Sequence, residues 1–209
     1  MTKVKICGIT NLEDARLAIE WGADELGFNF YAGSARYIAP DAAKEIVEKL
    51  PRSTSTVGVF VNMSMNGILE VSKIAGLTAI QLHGDEDGDF VRAIRRKAGL
   101  KIIKVIRIGP VVSFIHDPFL DAHAVLLDAF SPNERGGTGR TFNWTVAKEL
   151  TESFSRVYLA GGLNAENVAE AVRTVQPYAV DVASGVESSP GKKDPEKIAA
   201  FIKAAKDAI

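Results

Sequence analysis

Short apolar runs rich in β-branched residues alternate with longer stretches of helical periodicity from one end of the chain to the other. The runs occupy 4–7, 25–30, 57–61, 79–82, 102–106, 124–127, 157–159 and 180–182, lengths that suit strands buried on both faces. Between them, 12–21 follows a cap candidate at Asn11, and 41–50 places Ala42, Ile46, Val47 and Leu50 at helical spacing. Segments 67–75, 87–98, 144–150, 165–175 and 195–208 have the same character. The fifth crossover, 110–121, is the weakest helix, because Gly109, Pro110 and Pro118 interrupt it.

Strands that alternate with helices pair in parallel through right-handed crossovers, and eight such units close naturally into a (β/α)8 TIM barrel. The competing closure is an open, doubly wound sheet. That fold usually shows a glycine-rich dinucleotide turn after its first strand, where this chain reads Cys7-Gly8-Ile9-Thr10. The expectation is therefore an α/β chain folded as one barrel domain over 1–209. Of its 209 residues 46% are hydrophobic and 24% charged, enough apolar material for one core and no break that would split it.

A net charge of −1 points away from nucleic acid as a partner. One cysteine rules out an internal disulfide and fits a reducing compartment. The start has no long apolar leader, and no run approaches the roughly 20 residues of a membrane span. A cytoplasmic protein with no membrane contact is expected. His83, His116 and His123 lack metal-ligand spacing, so no metal is expected, and without a glycine-rich dinucleotide turn no nucleotide cofactor is expected either.

In such a barrel the active site lies at the C-terminal ends of the strands. That rule selects Cys7, Asn29, Asn62, His83, Arg107, Asp128, Gly161 and Ser184 as mouth residues. Strand seven runs into Ala160-Gly161-Gly162-Leu163-Asn164, and strand eight into Ser184-Gly185-Val186-Glu187. Glycines at those two ends let backbone N–H groups approach a phosphate, and Ser184 adds a hydroxyl donor. Gly161-Gly162 alone would read as a tight turn into a helix capped by Asn164; the second loop favours phosphate.

Asp128 is a carboxylate at the end of an apolar strand, either a general acid or an acid held by loop N–H groups. Cys7 reads either as a small buried apolar residue or as a base that needs help at neutral pH. Strand alternation puts Lys5 on the same face, where pairing with Asp181 of the last strand would place an ammonium beneath the thiol and lower its pKa. Arg36, in the loop after strand two, could clamp a carboxylate or lie solvated. His83 could hydrogen-bond a substrate or sit satisfied at the core edge. Asp85, Glu86 and Asp87 read as acids at a helix N-terminus. Gly136-Gly137-Thr138-Gly139 suits a loop that closes over a ligand, or one that is merely flexible.

These segments, in order, resemble the phosphoribosylanthranilate isomerases of tryptophan biosynthesis. The resemblance rests on Lys5-Ile6-Cys7-Gly8-Ile9-Thr10, Ser34-Ala35-Arg36-Tyr37, Gly58-Val59-Phe60-Val61-Asn62, Gln81-Leu82-His83-Gly84, Leu127-Asp128-Ala129, Gly136-Gly137-Thr138-Gly139, Ala160-Gly161-Gly162-Leu163 and Asp181-Val182-Ala183-Ser184-Gly185-Val186-Glu187. It implies an aldose–ketose isomerase acting on a small phosphoribosyl substrate by an Amadori rearrangement. By the same resemblance Cys7 is the general base, Asp128 the general acid and Arg36 the holder of the anthranilate carboxylate. The glycines 161, 162 and 185 with Ser184 match the phosphate cradle.

The chain departs from the family in carrying Ala35 where proline is usual, which bears on how rigidly Arg36 is held, and Asn143 where aspartate is usual, which bears on a helix cap. Two other readings compete. The histidine-pathway isomerase would place an aspartate at the end of strand one and a second phosphate site in the opposite half. A silent barrel that only binds phosphorylated ligands would be indifferent to Cys7 and Asp128. Oligomeric state is not legible.

Overall fold

The computed structural model describes residues 1–109, 121–129 and 143–208. Eight parallel strands, each hydrogen-bonded to the next in chain order and the last to the first, form a closed barrel. They are β1 (Lys3–Cys7), β2 (Glu25–Asn29), β3 (Ser55–Phe60), β4 (Ala79–Leu82), β5 (Lys101–Ile108), β6 (Ala124–Ala129), β7 (Val157–Leu159) and β8 (Ala179–Val182). The helices among the described residues are α1 (Leu12–Glu20), α2 (Pro40–Val47), α3 (Met65–Ala75), α4 (Gly88–Ala98), α5 (Trp144–Ser153), α6 (Val168–Val175) and α7 (Pro195–Lys206). A short hairpin, β9 (Glu187–Ser189) with β10 (Lys192–Lys193), fills the connection from β8 to α7. The barrel expected from the alternation is the observed fold; residues 110–120 of the expected helix at 110–121, and the GGTG loop, lie outside the described residues. No described helix is long and apolar enough to cross a membrane.

Two-residue alternation divides each strand between two environments. Val4 and Ile6 of β1, Ile80 and Leu82 of β4, Val125 and Leu127 of β6 and Val180 and Val182 of β8 join the large core between barrel and helices. Val57, Ala79, Ile103, Val105, Leu126, Tyr158 and Ala179 form a second cluster that fills the barrel itself. By parity, Lys5, Cys7, Gln81, Asp128 and Asp181 belong with the interior set. Each is buried despite its polar group.

The helix ends follow local chemistry. Asn11 accepts from the Asp14 N–H, Ser64 from Gly67 and Asp87 from Phe90, so each caps its helix. Asn143 caps α5 by accepting from the Thr145 N–H, so the departure from aspartate there keeps the cap. Helix α6 starts at Val168, later than its apolar pattern, because Asn164 Oδ1 accepts from the Glu166 and Asn167 N–H groups and holds 164–167 as a turn. Strand β5 outruns its apolar core because its ladder with β6 continues through Arg107–Asp128 to Ile108–Ala129.

Candidate active site

The strand ends open into one cavity lined by Cys7, Arg36, His83, Asp128, Gly161, Gly162 and Ser184, together with Gln81 and Asp181. Seven of the eight residues given a catalytic, carboxylate-holding, hydrogen-bonding or phosphate-cradling reading in the sequence thus share a wall. The eighth, Gly185, is not among the lining residues. A Cβ there would lie 2.0 Å from the Leu163 carbonyl oxygen, so its glycine lets the β8 loop pack against the β7 loop.

The β1 and β8 ladder sets Lys5 opposite Asp181. Lys5 Nζ lies 2.7 Å from Asp181 Oδ1, and neither side chain is appreciably exposed. This is the expected pair, but its effect on Cys7 differs from expectation. Burial pushes the thiol above its ordinary range, and the Lys5 ammonium, which favours the thiolate, only partly offsets this because Asp181 pushes the same way as burial. Lys5 itself is held above the ordinary lysine range, since Asp181 and Cys7 outweigh the burial that opposes its charge. The partner that makes a buried lysine tolerable also cancels much of its field at the thiol.

Gly27 of β2 pairs with Cys7 across the ladder. A Cβ on it would lie 2.7 Å from Cys7 Sγ and 3.1 Å from Lys5 Nζ, so the absent side chain is the space in which thiol and ammonium sit. This residue was missed in the sequence, where it stands inside a plain apolar run.

Arg36 is neither solvated nor waiting for a partner. Its Nε and Nη2 donate to Glu187 Oε1 and Oε2, both at 2.8 Å. Glu187 also accepts from Lys193 Nζ at 3.0 Å, and that fully buried ammonium donates to the Cys7 carbonyl at 2.6 Å and the Ala183 carbonyl at 3.1 Å. One lysine therefore ties the end of β1, the end of β8 and the Arg36 partner together. Burial would raise the Glu187 carboxyl, but Arg36 and Lys193 outweigh it and hold the group below its ordinary range. The Arg36 N–H also donates to Ser34 Oγ, which accepts in turn from Asn29 Nδ2. These bonds hold the loop that Ala35 leaves without its usual proline.

Asp128 Oδ1 accepts from the Ala129 N–H at 2.9 Å, and Oδ2 lies 3.3 Å from His83 Nε2. A backbone N–H thus holds the carboxylate, one of its two expected readings, at a position that also lines the cavity. Gly161 and Gly162 have φ of +82° and +66°, the left-handed region that side chains rarely adopt. A Cβ on Gly161 would lie 2.6 Å from the Ala129 nitrogen, which brings the β7 loop directly against Asp128. Ser184 begins a single 3-10 turn, Ser184–Val186.

The acids 85–87 split three ways. Asp87 stands at the helix N-terminus as expected and caps it, accepting from the Phe90 N–H. Asp85 pairs with Arg107 at 2.5 Å. Glu86 is buried, accepting from the Asn62 and Gly84 N–H groups and pairing with Lys104 at 2.8 Å, so it braces the loop beyond His83 rather than serving a helix dipole.

A family model described as N-(5'-phosphoribosyl)anthranilate (PRA) isomerase matches residues 4–204. The N-(5'-phosphoribosyl)anthranilate isomerase of Trichlorobacter lovleyi is 48% identical over 211 residues, covering 100% of both chains. Among solved structures, phosphoribosyl anthranilate isomerase from Thermotoga maritima superposes with a TM-score of 0.89 at 43% identity, over 99% of this chain and 100% of that one. A phosphoribosyl anthranilate isomerase in complex with reduced 1-(o-carboxyphenylamino)-1-deoxyribulose 5-phosphate gives 0.86 at 40% identity, over 99% and 100%.

Proposed function

The chain belongs to the phosphoribosylanthranilate isomerase family, and on that premise we propose that Cys7 and Asp128 carry its proton transfers. The reaction is the conversion of N-(5-phosphoribosyl)anthranilate to 1-(o-carboxyphenylamino)-1-deoxyribulose 5-phosphate, a step of tryptophan biosynthesis. The observation that carries the residue assignment is the single cavity in which a thiol on β1 and a carboxyl on β6 face the same volume beside the β7 and β8 loops.

Asp128 gives its proton to the furanose ring oxygen. The bond from that oxygen to C1′ breaks, and the nitrogen lone pair forms an iminium at C1′. The iminium acidifies the C2′ hydrogen. Cys7 as thiolate takes that proton, and the C–H electron pair forms the C1′–C2′ double bond of an enolamine. Loss of the enol proton and protonation at C1′ give the ketose, so the redox change stays within one molecule. Acid and base stand three strands apart around the closed barrel, which lets them serve different atoms of one substrate.

Around this pair, Arg36 supplies a cation on the cavity wall for the anthranilate carboxylate. Backbone at Gly161 and Gly162 and the Ser184 hydroxyl would receive the phosphate, with Gly185 letting the two loops that carry them pack together. His83 contributes at the Asp128 side. The lone cysteine is free, which supports a reducing location such as the cytoplasm.

The test is turnover of freshly generated phosphoribosylanthranilate, followed by loss of its fluorescence, in wild type, Cys7→Ala and Asp128→Asn. Turnover in wild type with loss of about 10²- to 10⁴-fold in each variant is the expected result. Unchanged rates in Cys7→Ala would discard the thiol as base. A folded wild type that leaves the substrate intact would discard the assignment and direct attention to the histidine-pathway substrate.

A further inference from the structure

An acid that gives away its proton becomes a buried anion, and two residues of β4 and its end are arranged to meet that charge. Alternation along Gln81-Leu82-His83 turns Gln81 and His83 to the barrel interior, where they are 1% and 9% exposed. Gln81 Nε2 lies 3.1 Å from His83 Nδ1, and His83 Nε2 lies 3.3 Å from Asp128 Oδ2.

The amide of Gln81 has a donor end and an acceptor end. With its donor end on Nδ1, that ring nitrogen must carry the lone pair, and the proton of the neutral imidazole is then on Nε2, facing Asp128. Turning the amide over would bury two donor hydrogens where Oε1 now sits without a hydrogen-bond partner among the described residues. A buried carbonyl oxygen tolerates that position better than buried N–H groups do.

We propose that Gln81 and His83 are positioning residues for the acid step: Gln81 selects the Nε2–H tautomer of His83, which donates to Asp128 as the aspartate gives up its proton. The inference rests on the isomerase reading of this cavity. Protonated Asp128 gains little from a donor at Oδ2. As its proton moves to the ring oxygen, negative charge spreads over both carboxyl oxygens. Oδ1 is met by the Ala129 N–H; His83 Nε2 stands 3.3 Å from Oδ2 without a hydrogen-bond partner among the described residues, so its N–H is left to meet the charge as it forms. Donors whose bonds strengthen only as charge develops lower the barrier and leave ground-state binding unchanged. Neither residue has to touch the reacting atoms.

The experiment pairs a spectroscopic readout with kinetics. In protein carrying ¹⁵N-labelled histidine, the His83 ring signals are assigned by their loss in His83→Asn, the chain having three histidines. At neutral pH wild type is expected to show Nε2 protonated and Nδ1 bare. Gln81→Glu sets an acceptor against Nδ1 and is expected to put a proton there. Gln81→Leu is expected to lower kcat at least about tenfold with KM within about twofold.

Thermal unfolding and binding of reduced 1-(o-carboxyphenylamino)-1-deoxyribulose 5-phosphate check that each variant keeps its fold and cavity. Nδ1–H in active wild type overturns the proposal while leaving the isomerase reading standing. So does a Gln81→Leu variant with wild-type kcat. If Gln81→Leu proves unfolded, Gln81→Glu decides: a ring proton shifted to Nδ1 with unchanged kcat also overturns it. A wild type without turnover overturns the isomerase reading itself and the catalytic part of this one with it.

Discussion

Lys5 Nζ and Asp181 Oδ1 sit 2.7 Å apart on adjoining strands, one step beneath the Cys7 thiol. The two charges act on that thiol with opposite signs: the ammonium favours the thiolate and the carboxylate disfavours it. Their removal should therefore move it in opposite directions. Lys5→Met is expected to raise the Cys7 pKa further, and Asp181→Asn to lower it. Thiolate absorbance or the pH dependence of alkylation rate reads this directly. Each variant strands one buried charge, a loss of about 3–5 kcal/mol, so unfolding curves should accompany the titrations. No shift in either variant would show that burial alone sets the thiol.

In wild type the direction is upward from the ordinary value of about 8.5. Activity governed by the free-enzyme thiolate is then expected to keep rising with pH above that value. The check is kcat/KM of wild type across the alkaline range, with protein stability measured in parallel. A plateau already reached at neutral pH would place the working thiol pKa far lower than its burial implies.

Gly27→Ala tests whether the open space beside Cys7 is used. The added methyl would stand 2.7 Å from Sγ and 3.1 Å from Lys5 Nζ, closer than normal contact. The thiol must turn or β1 must shift. Overpacking of this kind costs about 1–3 kcal/mol, and kcat is expected to fall more steeply than stability would suggest. A variant with wild-type kcat would show that the thiol has room to spare.

The fold was legible because strands buried on both faces read as continuous apolar runs, and eight of them alternating with amphipathic segments leave few closures. Alternation put Lys5 on the Cys7 face, and closing the barrel, which sets the last strand beside the first, offered Asp181 as its partner. Neither could give the sign of the thiol shift, which depends on how completely the site excludes water and on how far one ion cancels the other. Lys193 was not legible at all. In Gly191-Lys192-Lys193-Asp194 it looks like a solvated turn, and only the return of the β9–β10 hairpin against the end of β1, 186 residues away in sequence, buries it. Gln81 offered one hint, a polar residue inside the apolar strand that precedes His83. Its hydrogen bond to the ring became visible only with the side chains in place.

The Arg36–Glu187–Lys193 cluster should show itself in acid. Glu187 is held below the ordinary carboxyl range: burial would raise it, but two cations outweigh that. A group whose folded pKa lies below its unfolded value, about 4.3 for glutamate, contributes stability above that value and loses it as pH falls through the folded one. Glu187→Gln removes the contribution and leaves Lys193 and Arg36 facing a neutral amide. Near pH 7 the variant is expected to be less stable by about 3–5 kcal/mol, the usual loss when one partner of a buried pair is removed. In acid the wild-type glutamate becomes protonated and resembles the glutamine, so the gap should close. Urea unfolding of both proteins from neutral to acid pH measures that gap. A gap that stays constant would mean the carboxylate stabilises the cluster by shape and hydrogen bonding, with its charge contributing nothing.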